Sequence, residues 1–260
     1  MHVVVCIKQV PNTTEVRINP ETNTLVRQGV ECVINPFDMY AIEEAIRLKE
    51  KHGGKVTVIT MGPPQAETAL REAVSLGCDE AILLSDRYFA GSDTWATSYV
   101  LSQGIKKIGN FDVVLCGKQA SDGDTAQVGP GVSTFLDIPQ VTYVKKIEEI
   151  KEKSARVERM MEEGFEIIET PLPCLLTVVK EINQPRLPSL KGKMRARSAE
   201  ITKWNAENLN CDFDKIGLDG SPTRVVKIYT PPPRKGGVIL KGELDEVVEK
   251  LTDELKNELG

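Results

Sequence analysis

The chain has 260 residues, of which 40% are hydrophobic and 27% are charged, the proportions of a globular protein with enough apolar material for a sizeable core. Its formal net charge of -5 argues against wholesale nucleic-acid binding, which depends on an excess of basic residues. The N-terminal apolar run is too short for a signal peptide, and no apolar run approaches the length of a membrane span, so we expect a cytoplasmic protein.

Cysteine and histidine, which commonly bind metals, are few and scattered in this chain. None of the cysteines forms a CxxC pair or has a histidine at ligand spacing, and the only histidines are His2 and His52. This pattern predicts buried, apolar cysteines and neither a metal site nor a disulfide framework. If the chain takes part in catalysis, a cofactor has to supply the chemistry.

In the first half of the chain, apolar β-branched runs alternate with helical patterns. Strands are predicted at residues 2–7, 55–60, 80–84 and 112–116. Helices are predicted from Asn35-Pro36 to Gly53, from Pro63-Pro64 to Gly77, from about Asp93 to Ile108, and from about Thr125 to Leu136. This alternation indicates βαβ units, a parallel sheet and helices on both of its faces.

The organisation changes after residue 145. Residues 156–161 and 165–170 flank a turn at Glu163-Gly164, and residues 174–180 form a further apolar run. We expect a hairpin and antiparallel strands that extend the sheet. From Pro185 the chain becomes basic and rich in proline, and it ends in an amphipathic helix over 240–259. This tail is too thin for its own core, so we expect it to pack on its own domain or on a partner.

The segment from Cys116 to Gly131 is the strongest candidate for a ligand site. It follows an apolar strand and leads into a helix, which is where parallel α/β sheets bind ligands. Its glycines would let the backbone approach a phosphate, and amides at a helix start attract anions. Because it matches neither the Walker loop nor GxGxxG, a purely structural strand–helix loop is an equally good interpretation.

Two further segments lie at predicted helix starts. Asn35 and Phe37 could cap a helix and fill the core, or they could meet the edge of an adenine. Asp93 could cap the next helix, or it could border a flat cofactor together with Arg87 and nearby aromatic and hydroxyl residues.

The basic segment 187–197 also has two interpretations. It could be a solvated loop, or it could dock a partner through an apolar anchor, Leu190 or Met194, surrounded by positive charge.

Three motifs, taken together and in order, resemble those of electron-transfer flavoprotein beta subunits. The first is Asn35-Pro36-Phe37 followed by the AIRLK run at 45–49, and the second is Gly117-Lys118-Gln119-Ala120. The third spans 157–177, with an acidic-glycine turn, an apolar strand and a Pro-x-apolar-apolar-Thr ending. The resemblance extends over essentially the whole chain.

The resemblance implies a doubly wound, mostly parallel α/β sheet of the adenine nucleotide alpha-hydrolase-like type, with antiparallel additions and an extended C-terminal arm. Residues 1–185 would form the nucleotide- or flavin-binding domain. Residues 186–260 would form a recognition loop and an arm whose terminal helix packs on a larger alpha subunit, which carries its own FAD. The beta-subunit pocket holds structural AMP in the housekeeping type and a second FAD in the electron-bifurcating type.

The segments 86–94 and 122–130 resemble the bifurcating type. In that type FAD takes a hydride from NADH, and its electrons go to a low-potential carrier such as ferredoxin or flavodoxin and, through the alpha-subunit FAD, to an acyl-CoA dehydrogenase-type enzyme. We therefore expect FAD, with AMP as the alternative cofactor. A nucleotide-sensing regulatory module without electron transfer is the alternative from another functional class.

The predicted site residues follow from this resemblance and from the strand ends. No side chain is assigned as catalytic. The predicted cofactor-binding residues are Cys6, Lys8, Asn35, Phe37, Asp38, Met61, Asp93, Thr94, Thr97, Cys116, Gly117, Lys118, Gln119, Asp122, Gly123, Asp124, Thr125, Ala126, Gln127, Val128, Gly129 and Pro130. The predicted docking residues are Leu190, which best matches the family's anchoring leucine, with Lys191, Lys193, Met194, Arg195 and Arg197.

Overall fold

The computed structural model describes residues 1–12, 31–226 and 237–259. Its strands are β1 (His2–Cys6), β2 (Gln9–Pro11), β3 (Cys32–Ile34), β4 (Lys55–Met61), β5 (Glu80–Leu84), β6 (Val113–Gly117), β7 (Gln140–Ile150), β8 (Ser154–Met160), β9 (Phe165–Pro171), β10 (Cys174–Val178) and β11 (Thr202–Trp204). Its α-helices are α1 (Pro36–His52), α2 (Glu67–Leu76), α3 (Thr94–Ile108), α4 (Val128–Leu136), α5 (Leu190–Ser198) and α6 (Leu244–Leu259). Residues 12–33 are polar and rich in turn-forming residues, which predicts turns, and most of this stretch lies outside the described residues.

A nine-stranded sheet with the order β11-β5-β4-β1-β6-β10-β7-β8-β9 forms the centre of the molecule. The strands from β11 to β7 in this order are parallel, while β8 and β9 add an antiparallel hairpin at one edge. One apolar cluster packs α1 and α2 on one face, and a second packs α3 and α4 on the other. The predicted doubly wound, mostly parallel α/β fold is confirmed.

Strand β10 corrects one part of the predicted topology. We expected residues 174–180 to extend the sheet with antiparallel pairing, but β10 lies between β6 and β7 and is parallel to both. Every residue of β10 is buried, as is typical of a central parallel strand covered on both faces. The β8–β9 hairpin separates β7 from β10 along the chain, which lets β10 enter the sheet between two other strands.

Local signals set the helix ends in most places. Helix α1 has proline in its first turn and stops at Gly53, whose φ of 72° suits a residue without a side chain. The Asp93 carboxylate caps α3 by accepting from the Ala96 amide at 3.0 Å. Helix α4 begins at Val128, later than the predicted Thr125, because Asp124 and Ala126 adopt positive φ values of 53° and 54° that interrupt a helical start.

The basic segment from 187 to 197 is mostly helical, contrary to the predicted loop. The Ser189 hydroxyl caps α5 by accepting from the Gly192 amide at 3.0 Å. Helix α5 packs on α2, with Ala196 buried between them. The prediction failed because it relied on the many basic residues of this segment. It overlooked Ser189 as a helix cap and the following residues as compatible with a helix.

Part of the chain beyond residue 185 packs on the central sheet and on α3. Strand β11 pairs with β5, and Ala206, Leu209, Cys211 and Ile216 are buried in the cluster beside α3. The division at residue 185 remains a prediction. Among the residues that the structure describes, none of the helices combines the length and apolar character that a membrane crossing requires.

Candidate functional site

The carboxyl ends of β1, β4 and β6 meet the starts of α1 and α4 at one edge of the sheet. Parallel strands place their carboxyl ends together, and this is the edge at which such sheets bind ligands. The segment from Gln119 to Gln127 leaves the end of β6 and leads to α4, and most of it is exposed. We call this segment the edge loop.

Asn35 ties the start of α1 to the edge loop. Its side chain is 1% exposed, donates to the Gln119 carbonyl at 2.8 Å and accepts from the Ser121 amide at 3.0 Å. The prediction that Asn35 caps α1 with its side chain is wrong, since no such bond forms. The side chain instead satisfies backbone groups that lie more than eighty positions away in sequence.

Asp38 lies in the first turn of α1 and is also buried, with 5% exposure. Its carboxylate accepts from the Lys8 amide at 2.7 Å, and the Gly117 amide and the Asn35 side chain also bond to it. Burial raises the pKa of Asp38 to about 7, although these hydrogen bonds and the nearby Lys8 charge act to lower it. Asp38 therefore changes its protonation state near neutral pH.

Gly117, the last residue of β6, approaches the start of α1 closely. A Cβ atom at this position would lie 2.7 Å from the carbonyl carbon of Phe37 and 2.8 Å from the amide nitrogen of Asp38. Because both neighbours are backbone atoms, only glycine allows this approach. A signal for it was present in the sequence, since the glycine directly follows an apolar strand.

The acidic residues of the edge loop have partners within the chain. The Lys8 ammonium pairs with the Asp122 carboxylate at 2.5 Å, and both side chains are partly exposed. The Gln119 side chain donates to the Asp124 carboxylate. The Thr94 and Thr125 hydroxyls lie 3.4 Å apart and join the start of α3 to the loop. Carboxylates repel a phosphate, and these contacts offset part of that repulsion at this edge.

The start of α4 offers backbone amides at the same edge. No side chain of the described residues caps α4, so its first amides are available to an anion. Gly129 is buried, and a Cβ there would lie 2.6 Å from the Thr177 methyl group of β10. Val128 and Pro130 are partly buried beside it. The glycine thus lets the start of α4 sit close against the sheet.

Asp93 links the start of α3 to the C-terminal part of the chain. Besides capping α3, it accepts from the Thr223 amide at 2.9 Å and the Thr223 hydroxyl at 2.8 Å. Burial acts to raise the pKa of Asp93, but the hydrogen bonds from Ala96 and Thr223 together outweigh it, so the pKa lies below its ordinary value. Sequence reasoning missed Thr223, because nothing local marks a partner 130 residues away.

Cys6 and Cys116 are register partners on β1 and β6, and both are buried. Their thiols bond to each other, and this bond together with burial raises the pKa of Cys116 well above its usual range. Their side chains belong to the core cluster beside α3, so any ligand at the edge would meet their backbone. Met61, at the end of β4, is partly buried against the same cluster.

Lys118 has two aromatic neighbours: Phe37, a predicted cofactor-binding residue, and Tyr143, which was not predicted to belong to the site. Its ammonium lies 6.0 Å from the centre of the Phe37 ring and 5.0 Å from that of Tyr143, distances at which a cation is attracted to a ring face. Tyr143 has a φ of 60°, an uncommon conformation for a bulky residue. Sequence reasoning missed Tyr143, since nothing around it marks an irregular strand.

The predicted docking residues divide between two sides of α5. Leu190 and Met194 are exposed, at 78% and 64%, and Lys191, Lys193 and Arg197 are exposed as well. Arg195 instead donates to the Val74 and Cys78 carbonyls, both at 2.6 Å. Its guanidinium therefore holds α5 on α2. Whether any of these residues docks a partner stays a prediction.

A family model for the electron transfer flavoprotein domain matches residues 22–209. The electron transfer flavoprotein subunit beta of Thermoanaerobacterium thermosaccharolyticum is 54% identical over 258 residues, which cover 99% of this chain and 98% of that relative. The protein FixA of Sinorhizobium fredii is 49% identical, with 100% of this chain and 92% of the relative covered.

A third relative is the caffeyl-CoA reductase-Etf complex subunit CarD of Acetobacterium woodii, which is 50% identical with 98% of each chain covered. These matches extend over the sheet, the edge loop and α5 alike. The chain therefore belongs to the electron transfer flavoprotein family, as a beta subunit.

Proposed function

We propose that this beta subunit binds FAD at the carboxyl edge of its sheet and serves an electron-bifurcating electron transfer flavoprotein. The observation that carries the proposal is the edge loop, an exposed segment tied to α1 by Asn35 and leading to the uncapped start of α4. The relatives named FixA and CarD support the assignment to the bifurcating type.

The donors at this edge fit an adenine dinucleotide. The amides at the start of α4 and the Lys8 ammonium suit phosphates, and the side chains of Thr94, Thr125 and Gln127 suit phosphate or ribose oxygens. Small residues at Gly123 and Ala126 of the edge loop would leave room there for a flat ring system. Gly91 and Ser92, the other small residues considered for this space, lie against residues 217 and 218. AMP would use the same phosphate and adenine contacts but would not need the space for a flat ring system.

The chemistry that a bound FAD supplies is hydride acceptance from NADH and delivery of single electrons, one to ferredoxin or flavodoxin and one through the alpha-subunit FAD to an acyl-CoA dehydrogenase-type enzyme. The residues of this chain bind and orient the nucleotide. Asn35, Asp38 and Gly117 shape the backbone at the strand ends, and Lys8 and Lys118 supply positive charge beside it.

Two surfaces suit the protein partners of such a subunit. Helix α6 has an apolar face formed by Leu244, Val248, Leu251 and Leu255, which are all exposed, and we assign this face to the alpha subunit. The exposed side of α5, with Leu190 and Met194 among basic residues, suits the dehydrogenase.

The test is cofactor extraction and quantification from the heterodimer of this chain with its alpha subunit. Two FAD per heterodimer is the expected result, and NADH should bleach flavin absorbance rapidly. One FAD with one AMP, and no bleaching by NADH, would contradict the bifurcating assignment and favour the housekeeping type.

A variant separates the two flavins in that measurement. Gly129→Val would push the start of α4 away from Thr177, so it should remove one FAD per heterodimer and keep the other. Gly164→Val, in the β8–β9 turn where a side chain meets nothing within 4 Å, is the matched control and should retain both.

A further inference from the structure

Asp38 is a buried carboxylate to which three separate segments bond. Its bonding partners are the Lys8 amide after β1, at 2.7 Å, the Gly117 amide at the end of β6, and Asn35 before α1. The side chain is 5% exposed, so a ligand has little of it to touch. Its oxygens are already occupied by groups of the protein.

The partners of Asp38 are themselves parts of the candidate site. Lys8 pairs with Asp122 of the edge loop, and Gly117 precedes that loop directly. Asn35 bonds to the loop backbone at Gln119 and Ser121. A shift of the Asp38 carboxylate would therefore move the ends of both strands and the loop between β6 and α4.

We propose that Asp38 is a positioning residue, which holds the Lys8 and Gly117 backbones against the start of α1 and so shapes the edge that receives the nucleotide. This inference rests on the proposed function and deepens it, because it assigns a control of nucleotide affinity to a buried side chain that acts through the backbone groups to which it bonds.

The protonation of Asp38 decides how well it can hold these amides. The carboxylate accepts through both oxygens, whereas the protonated acid presents an O–H to amides that can only donate. The charged or titratable groups that act on it are the Lys8 ammonium and, from β6, the Cys116 thiol, which stays neutral because its pKa is raised. Burial raises the pKa of Asp38 to about 7.

The direction of the pH effect follows from these bonds. Below about pH 7 protonation weakens the hold on Lys8 and Gly117, so nucleotide affinity should fall as the pH falls through 7. Stability should change in the opposite direction. A carboxyl group whose pKa is raised by folding contributes most below its unfolded value near 4, and this contribution is lost as the pH rises to about 7. A purely structural role would change stability alone.

The experiment uses the heterodimer with its alpha-subunit FAD retained and the beta-subunit nucleotide removed. AMP is titrated by calorimetry between pH 6 and 8.5 into the wild type, Asp38→Asn and Glu44→Gln. Asparagine imitates the protonated acid, with one acceptor and one donor end. Glu44 is the matched control because it is a buried carboxylate of the same helix, its pKa is also raised by burial, and it bonds to Asn183 instead of the edge.

Hydrogen–deuterium exchange of peptides containing Lys8 and Gly117 reports on positioning without any nucleotide. We expect Asp38→Asn to weaken AMP binding about 10-fold at pH 8, to abolish the pH dependence, and to raise exchange at both peptides about 10-fold. Glu44→Gln should change none of these.

Unchanged exchange in Asp38→Asn, or an AMP affinity that follows the wild-type pH curve, would overturn the inference. Failure of the proposed function has a different signature. The beta-subunit site of the wild type would then bind AMP but not FAD, or neither nucleotide, while Asp38→Asn would still raise exchange at Lys8 and Gly117, which would support the positioning role by itself.

Discussion

The carboxyl edge of the sheet buries polar side chains, whereas helix α6 exposes apolar side chains. At the edge, the polar Asn35 and Asp38 are buried and fully engaged in hydrogen bonds with the chain. Along α6, the apolar Leu244, Val248, Leu251 and Leu255 face solvent.

Each arrangement is costly unless something compensates for it, because buried polar groups need partners and exposed apolar surface favours association. At the edge the compensation comes from within the chain. Along α6 we expect it to come from another subunit. The two regions therefore differ in what completes them, and the following changes test that difference.

The largest effect is expected from charging the apolar face of α6. Val248→Asp with Leu251→Asp should weaken association with the alpha subunit by at least ~100-fold, because each substitution would place a charged carboxylate in an apolar interface. Affinity between the separately purified subunits is the measurement. Glu249→Gln with Asp253→Asn, on the polar side of α6, should leave affinity within about 3-fold. Equal losses in both double variants would contradict the assignment of this face.

Gly117→Ala tests how closely the edge is packed. The added methyl group would meet the backbone of Phe37 and Asp38, so we expect the free energy of unfolding to fall by about 2 kcal/mol. Urea unfolding followed by tryptophan fluorescence measures it. Gly164→Ala, which meets no neighbour within 4 Å, should cost less than about 0.5 kcal/mol. A tolerant Gly117→Ala would show that β6 and α1 can separate freely.

Helix α5 has a polar residue bonded within the chain, Arg195, and an exposed apolar residue, Leu190. Two variants should separate the stabilising role of the first from the docking role of the second. Arg195→Ala removes the guanidinium that bonds to the Val74 and Cys78 carbonyls and should lower the unfolding free energy by about 1 kcal/mol, given its partial exposure. Leu190→Ala should leave stability and cofactor content unchanged.

The same Leu190→Ala should slow electron delivery to the dehydrogenase about 10-fold, because an exposed anchor contributes only when the partner is bound. Stopped-flow kinetics with the partner enzyme measure the rate. Unchanged kinetics would remove Leu190 from the interface.

The smallest effects are expected at the exposed Lys8–Asp122 ion pair. Asp122→Asn should change the unfolding free energy by less than about 0.5 kcal/mol, as for most surface pairs. It should strengthen AMP binding about 3-fold, because Lys8 would then be free to pair with phosphate. Lys8→Gln should weaken AMP binding. Calorimetric titration gives both values. Glu149→Gln, which removes the exposed pair with Lys151, is the control. If both edge variants shift affinity in the same direction, Lys8 does not bind phosphate.

Much of the fold follows from local patterns in the sequence. The alternation of apolar runs and helical patterns predicted the first four parallel strands, and Asp93, Gly53 and Gly77 predicted helix ends that the structure confirms. These signals act over one or two helical turns, so they can be interpreted without knowing what packs nearby.

The candidate site was predicted only as separate pieces. The edge loop and the Asn35–Asp38 segment could each be recognised locally, but not the bonds that join them. An asparagine before a helix satisfies local rules equally well as a cap. Its actual partners, Gln119 and Ser121, lie 84 and 86 positions away, and Thr223 reaches Asp93 from an even greater distance along the chain.

The sequence by itself determined the alternating α/β pattern, the helix ends at Gly53, Gly77 and Asp93, and the family motifs, because these depend on neighbours along the chain. Only the tertiary structure decided that β10 lies between β6 and β7, that Asn35 ties the edge loop and that Asp38 is buried. Strand order, burial and the pKa of a buried acid depend on which distant segments meet, since desolvation and long-range hydrogen bonds arise only after the chain has folded.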